Sequence, residues 1–189
     1  MQLATDWSNV EPIISRYEEL PAACHDYDPR ALQVAALIAK AVNQYLPEVI
    51  VEHIGSTSVP GCAGKGVIDL MVIYPAGKLE AAKSLLDALG FQRQTTRDLF
   101  PETRPMRIGA IEHDGKTFRV HAHVIAVDSP EVEGLRSFRD RLRADPNLVA
   151  GYVARKREII ASGVADSVDY SIEKGAFVQM AVAKSRLLL

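Results

Sequence analysis

The sequence predicts an α+β protein: a mixed β-sheet flanked by helices, with a helical C-terminal part from about residue 129. Apolar β-branched runs at 49–54 and 66–74 are separated from a later strand pair by a helical stretch. The dipeptide Asp114-Gly115 sits between two alternating runs, the strongest short hairpin signal. Ser129-Pro130-Glu131 and Asp145-Pro146 then each place a capping side chain before a first-turn proline, so helices close the chain. Strands first and helices last, joined through a hairpin, favour α+β over a regular βαβ alternation.

Taken in order, residues 1–25 read as an N-terminal helical extension, because Ile13, Ile14, Tyr17 and Leu20 recur at helical spacing and Pro21 stops the run. The remaining 26–189 form the main domain. Asp28-Pro29 opens a helix over 30–46 whose apolar stripe is Leu32, Ala35, Ala36, Ala39, Val42 and Leu46, and Pro47 ends it. The run 66–74 is nearly all apolar, as in a central strand. A helix over 77–89 stops at Gly90. The loop 93–106 is rich in charge and proline; Arg93, Arg97, Arg104 and, just beyond it, Arg107 either face a phosphate or stand solvated, the commoner fate. Arg107–His113 and Thr117–Ala126 flank the hairpin turn, and a last helix runs from about Asp166 to Leu188.

With 189 residues the chain suits one domain plus an appendage. A net charge of −2 gives no basic footprint, which argues against broad nucleic-acid binding. The two cysteines, Cys24 and Cys62, have no zinc spacing and suit a reducing, cytoplasmic setting. No secretory pattern opens the chain, and no apolar run reaches the ~18 residues that span a bilayer.

Three features could carry chemistry. Gly55 permits a backbone turn that a Cβ would obstruct, and Ser56, Thr57 and Ser58 bring hydroxyls to it. The ordinary alternative is a serine-capped strand-to-helix turn. Asp69 is a carboxylate inside an apolar strand, where a charge needs a partner or a metal. The position on the same face two residues on is Met71, so only one carboxylate is offered. Alternation places Arg119, His121 and His123 on one strand face and Val120, Ala122 and Val124 on the other. The two imidazoles could share a metal with Asp69, act as acid or base, or simply line a cleft. Arg119 stands where the first histidine of a histidine-triad hydrolase would be, which sets that pattern aside. Glu52 and His53 point to opposite faces, so at most one lines a cleft. Lys65 could reach a phosphate as a point charge. Arg139, Arg143, Lys156, Arg157 and Lys174 could close over such a ligand or form a solvated face; Lys174 stands out on an apolar helix.

A Gly-Ser turn followed by a strand carboxylate resembles a nucleotidyltransferase-fold site. The stretches Tyr27-Asp28-Pro29-Arg30, Glu52 through Gly61, Lys65 through Asp69, His121-Ala122-His123-Val124, Phe138 through Arg143, and Lys174-Gly175-Ala176-Phe177-Val178 are together similar to the GrpB-like family, over roughly 26–185. The resemblance implies the nucleotidyltransferase fold, in a family whose members also occur fused to dephospho-CoA kinase. On a site laid out like that of a nucleotidyltransferase, the expected ligand is a nucleotide or nucleotide-like molecule with a divalent metal, Mg2+ above others. Gly55, Ser56, Thr57, Ser58, Lys65 and Lys174 would hold phosphates; Asp69, His121 and His123 would be the catalytic and metal residues. Three functions stay open: transfer of a nucleotidyl group to a small acceptor, a non-catalytic nucleotide- or CoA-binding module, and a metal-dependent hydrolase using His121, His123 and Asp69.

Overall fold

The computed structural model describes residues 6–95 and 99–164, and residues 169, 170, 172, 173, 175, 177 and 178 of a last helical stretch. Among these a five-stranded sheet is ordered β1-β2-β5-β4-β3, from Ile50–Ile54, Ile68–Tyr74, Lys116–Ala126, Met106–His113 and Gln92–Arg93 respectively. Only β2 and β5 run parallel among neighbours; the other pairings are antiparallel, so the expected mixed sheet is present. The β4–β5 turn is Asp114-Gly115, both with positive φ (48° and 69°), as a tight hairpin requires.

Helices α1 (Arg30–Tyr45) and α2 (Leu79–Ala88) cover one sheet face. Val34, Ile38 and Val42 of α1 and Leu85 and Leu86 of α2 are buried in one core with Ile68, Leu70, Val72, Val120, Ala122 and Val124. The apolar stripe of α1 is rotated from the expected one: Leu32 and Ala36 are exposed while Ala31, Val34 and Ile38 are buried. Long apolar residues on two adjacent faces made the stripe ambiguous, and contact with the sheet selects the face.

Helices α3 (Pro130–Ala144) and α4 (Pro146–Ala161) cover the opposite face. Their starts are capped as expected. Ser129 accepts from the Glu131 N–H, and Asp145 accepts from the N–H groups of Asn147 and Leu148. Arg139 and Arg143 are engaged within the protein. Arg139 binds Glu52 of β1 at 2.8 Å, and Arg143 donates to the Ser58 carbonyl at 2.9 and 3.1 Å, tying α3 to the sheet and the turn. Arg157 is exposed.

The helical N-terminal extension is corrected. Residues 6–25 hold no helix; they form an extended arm that bridges Ser15 to Ala110 and His25 to Gly64. Val10 and Ile14 enter the core beside α1 and α2. The arm lies so close that a Cβ on Gly90 would sit 2.2 Å from the Ile14 carbonyl oxygen, and one on Gly109 2.2 Å from Ile14 Cγ2. Tertiary room made by two glycines therefore overrides the apparent 3.6-residue period.

The loop arginines divide. Arg93 is solvated. Arg107 is fully buried and bound to Asp87 at 2.7 Å and to both oxygens of Glu102, so it faces no ligand. Arg97 lies outside the described residues. No described helix is long and apolar enough to cross a membrane.

Candidate functional site

The strand register assembles the site. Asp69 pairs with His121 across the parallel β2–β5 ladder, and Met71 pairs with His123. Because these positions share a strand face, Asp69, His121 and His123 project together toward α3 and α4, and one potential ligand atom from each lies within 4.8 Å of the others. His121 Nδ1 and His123 Nε2 stand 3.5 and 3.7 Å from the same oxygen, Asp69 Oδ1. Those separations are close to the edge of a coordination tetrahedron, about 3.4 Å for ligands at ~2.1 Å from the ion. Met71 is fully buried among Ile54, Ile73, Ile125 and Val132, so apolar packing fills the place of a second carboxylate.

Burial works against ionising Asp69, but the polar contacts of His121 and His123 outweigh it and hold the carboxyl well below its usual range. Burial also lowers the His123 pKa, only partly opposed by Asp69, which keeps that imidazole neutral. Its tautomer follows from its neighbours. Arg104 Nη1 lies 3.1 Å from His123 Nδ1, and a guanidinium has no acceptor, so Nδ1 accepts and the proton sits on Nε2, facing Asp69. Arg104 is itself held by Glu131 and stacked over Phe100 at 4.5 Å. On His121 the partner is different: Tyr17 Oη is 3.1 Å from Nε2. A hydroxyl can donate or accept. Facing an ionised carboxylate, Nδ1 of His121 carries the proton and Tyr17 donates to Nε2.

A metal ligand imidazole needs its second nitrogen to donate outward. His121 meets that condition once the Tyr17 hydroxyl turns. His123 does not while Arg104 is present. Asp69, His121 and His123 are thus grouped so that they could hold a metal ion, and of the two imidazoles His121 is the one whose second nitrogen faces a group able to accept from it.

The Gly-Ser turn leads from β1 into a single 3-10 turn, Ser56–Ser58. Gly55 has φ 70° and ψ −175°, and a Cβ there would meet Asp69 Oδ2 at 2.4 Å. The turn backbone and the carboxylate are thus packed directly together. Of the three hydroxyls only Ser56 reaches the cleft. Thr57 donates to the Val67 carbonyl and accepts from His53, and Ser58 donates to the Gly55 carbonyl at 2.7 Å. Their hydroxyls brace the turn rather than offering themselves to a phosphate. Glu52 is taken by Arg136 and Arg139, so neither flanking residue of the turn faces the cleft as a free group.

His53 has a separate consequence. Burial lowers its pKa from 6.5 to about 4, a neighbouring Asp69 only partly opposing it. Between those values the unfolded chain binds the proton and the folded one does not, so stability rises with pH across the window and falls as pH drops from 6.5 toward 4. Replacing His53 with Gln is expected to flatten that slope, removing a pH dependence of up to about 3 kcal/mol; denaturant melts from pH 4 to 7 read it directly.

A cleft of about 470 Å3 opens over this cluster between the sheet and the C-terminal helices. Ser56, Lys65, Asp69, His121 and His123 line one side, while Leu135, Phe138, Phe100, Ile172 and Val178 give it an apolar wall. Two lining groups had no clear sequence signal. Tyr17 arrives on the arm. Lys156, grouped with the helical charges from the sequence, is buried on α4, where its Nζ donates to the Ala63 carbonyl, contacts Cys62 Sγ at 3.5 Å and lies 4.3 Å from the Tyr152 ring. A Cβ on Gly64 would meet both Ser56 Oγ, at 2.6 Å, and Lys156 Nζ, at 3.2 Å, so hydroxyl and ammonium converge on one small space. Lys65 lies 5.0 Å over the Tyr170 ring and also borders a second, smaller cavity. Lys174 lies outside the described residues.

The model of the GrpB protein family matches residues 21–184. A UPF0157 protein of Streptomyces coelicolor is 34% identical over 170 residues, covering 89% of this chain and 86% of that protein. One from Vibrio cholerae is 29% identical over 169 residues, covering 89% and 80%. Among solved structures, the conserved protein GrpB from Enterococcus faecalis superposes with a TM-score of 0.65 at 26% identity, covering 86% of this chain and 99% of that one. The mtPAP–CTP complex aligns at TM-score 0.50 and 15% identity over 72% of this chain and 33% of that one, a likeness of fold.

Proposed function

The chain belongs to the GrpB family and has a nucleotidyltransferase-like fold, and from that premise we propose that its cleft binds a nucleotide with one divalent cation and transfers a nucleotidyl group to a small acceptor. The observation that carries this reading is the packing of Asp69 against Gly55, with Ser56 and the buried Lys156 converging beside them. A phosphate chain set there meets a hydroxyl and an ammonium on one side and the carboxylate-held cation on the other. Asp69 and His121 would hold the cation, which would polarise the phosphoryl oxygen when bound. Lys156 supplies the positive charge that a second cation gives in a two-carboxylate site, stabilising charge that grows on the phosphate as the bond to the leaving group breaks. The apolar wall takes the base.

Met71 favours a second reading, a non-catalytic nucleotide- or CoA-binding module, because its buried thioether leaves no room for another cation ligand. Thermal melts of the full chain with ATP, CTP, GTP, UTP or CoA, each with and without Mg2+ or Mn2+, separate the two. A Mg2+-dependent rise with one triphosphate, followed by pyrophosphate release, supports transfer. A cation-independent rise without product supports the module. Lys156→Met keeps the buried stem and is expected to lower transfer by about 100-fold or more, the scale of one lost charge-stabilising donor, with a smaller change in nucleotide affinity; a change in affinity alone would remove Lys156 from the chemistry.

A further inference from the structure

Resting on the one-cation reading, we propose that Tyr17 is a positioning residue that lets His121, and not His123, serve the cation. Its place is built rather than incidental. Ser15 exchanges backbone hydrogen bonds with Ala110 at 2.7 and 3.0 Å, and the Tyr17 N–H is held by Gln92 Oε1 at 3.2 Å. Close passage of Ile14 over Gly90 and Gly109 fixes the arm against β4. The Tyr17 ring then packs on the His121 ring, centroids 5.5 Å apart, with its hydroxyl 3.1 Å from Nε2.

The two histidines differ in what stands behind them. Behind His123 is Arg104, a donor only. Behind His121 is a hydroxyl that can reverse its role. Without a cation, Tyr17 donates to Nε2 and the proton of His121 sits on Nδ1, facing Asp69 Oδ1. Were a cation to take Nδ1, that proton would leave to water, another would be taken up at Nε2, and the Tyr17 oxygen would accept it. The proton count on the ring would be unchanged. His123 has no equivalent move, because a proton placed on its Nδ1 would confront Arg104. Tyr17 precedes the residues matched by the family model, which begin at 21. The arm therefore adds to the site a part that the matched core does not contain.

The test uses the full chain as wild type, Tyr17→Phe, His121→Ala, the double substitution and Arg104→Leu. Imidazole 15N NMR of the cation-free protein is expected to show His121 as one tautomer with its proton on Nδ1, and a mixture in Tyr17→Phe. Calorimetric titration with Mn2+ is expected to lose about 10-fold or more in affinity in Tyr17→Phe, the usual scale for removing a hydrogen-bond partner behind a metal ligand. With His121→Ala already in place, Tyr17→Phe has no further effect, whereas Arg104→Leu retains or improves Mn2+ binding. An unchanged His121 tautomer in Tyr17→Phe, or an equal affinity loss with and without His121, would overturn the assignment. If wild type binds no Mn2+, the one-cation reading falls, while the tautomer signal still decides what Tyr17 does to His121.

Discussion

Gly55→Ala is expected to be the most damaging single-atom-scale change in this protein. At φ 70° and ψ −175° the residue occupies a region that is essentially reserved for glycine. The added methyl also meets Asp69 Oδ2 at 2.4 Å and Asp69 Cβ and Cγ at 3.2 Å. Backbone strain of about 1–3 kcal/mol and overpacking of similar size sum to roughly 3–5 kcal/mol. That is a large part of the 5–15 kcal/mol of a typical domain and corresponds to a fall in melting temperature of roughly 10 °C. The turn must move away from the carboxylate to relieve the overlap, so nucleotide binding should be lost with stability. Pairing the change with Asp69→Ala removes Oδ2 and Cγ but not Cβ, so the two substitutions should be less than additive by about 1 kcal/mol. Strict additivity in chemical denaturation would show that the turn and the strand do not touch as described.

Asp69→Asn is expected to separate fold from function. Both neighbouring imidazoles turn an N–H toward Oδ1, and an amide oxygen can receive them as the carboxylate does. Stability should therefore shift by only about 1 kcal/mol, the net worth of one altered polar contact. Cation affinity should fall by about 100-fold or more, near 2.7 kcal/mol, because the remaining proposed ligand, His121, would hold the ion alone. Calorimetric Mn2+ titration beside a denaturant melt reads both quantities. Equal loss of stability and of cation binding would mean that Asp69 is chiefly a buried structural acid.

Much of this site was legible in the sequence because it rests on local rules. Strand alternation placed His121 and His123 on one face, an isolated acid in an apolar run marked Asp69, and the Asp114-Gly115 turn marked the β4–β5 hairpin, while the β2–β5 register that brings Asp69 beside the histidines is a long-range pairing. What stayed hidden depends on contacts between distant segments. The arm imitates a helix in its spacing, and only the bare surfaces of Gly90 and Gly109 explain why it lies extended. Tyr17 and Arg104 decide what each imidazole can do, yet they reach the site from residues far away in the chain. The hydroxyls of Thr57 and Ser58 are spent nearer by, on the Val67 and Gly55 carbonyls, and Lys156 is a charge at helical spacing that folding buries. Sequence pattern identifies which residues carry donors and acceptors; it does not show which are already spent on the fold.

The central claim is a nucleotide site built around one cation. Mn2+ titration of the full chain at saturating nucleotide, followed by electron paramagnetic resonance, counts that cation. One ion per chain, bound more tightly with nucleotide than without and lost in Asp69→Asn, is the predicted result. Two coupled ions per chain, or one whose binding ignores Asp69, would contradict it.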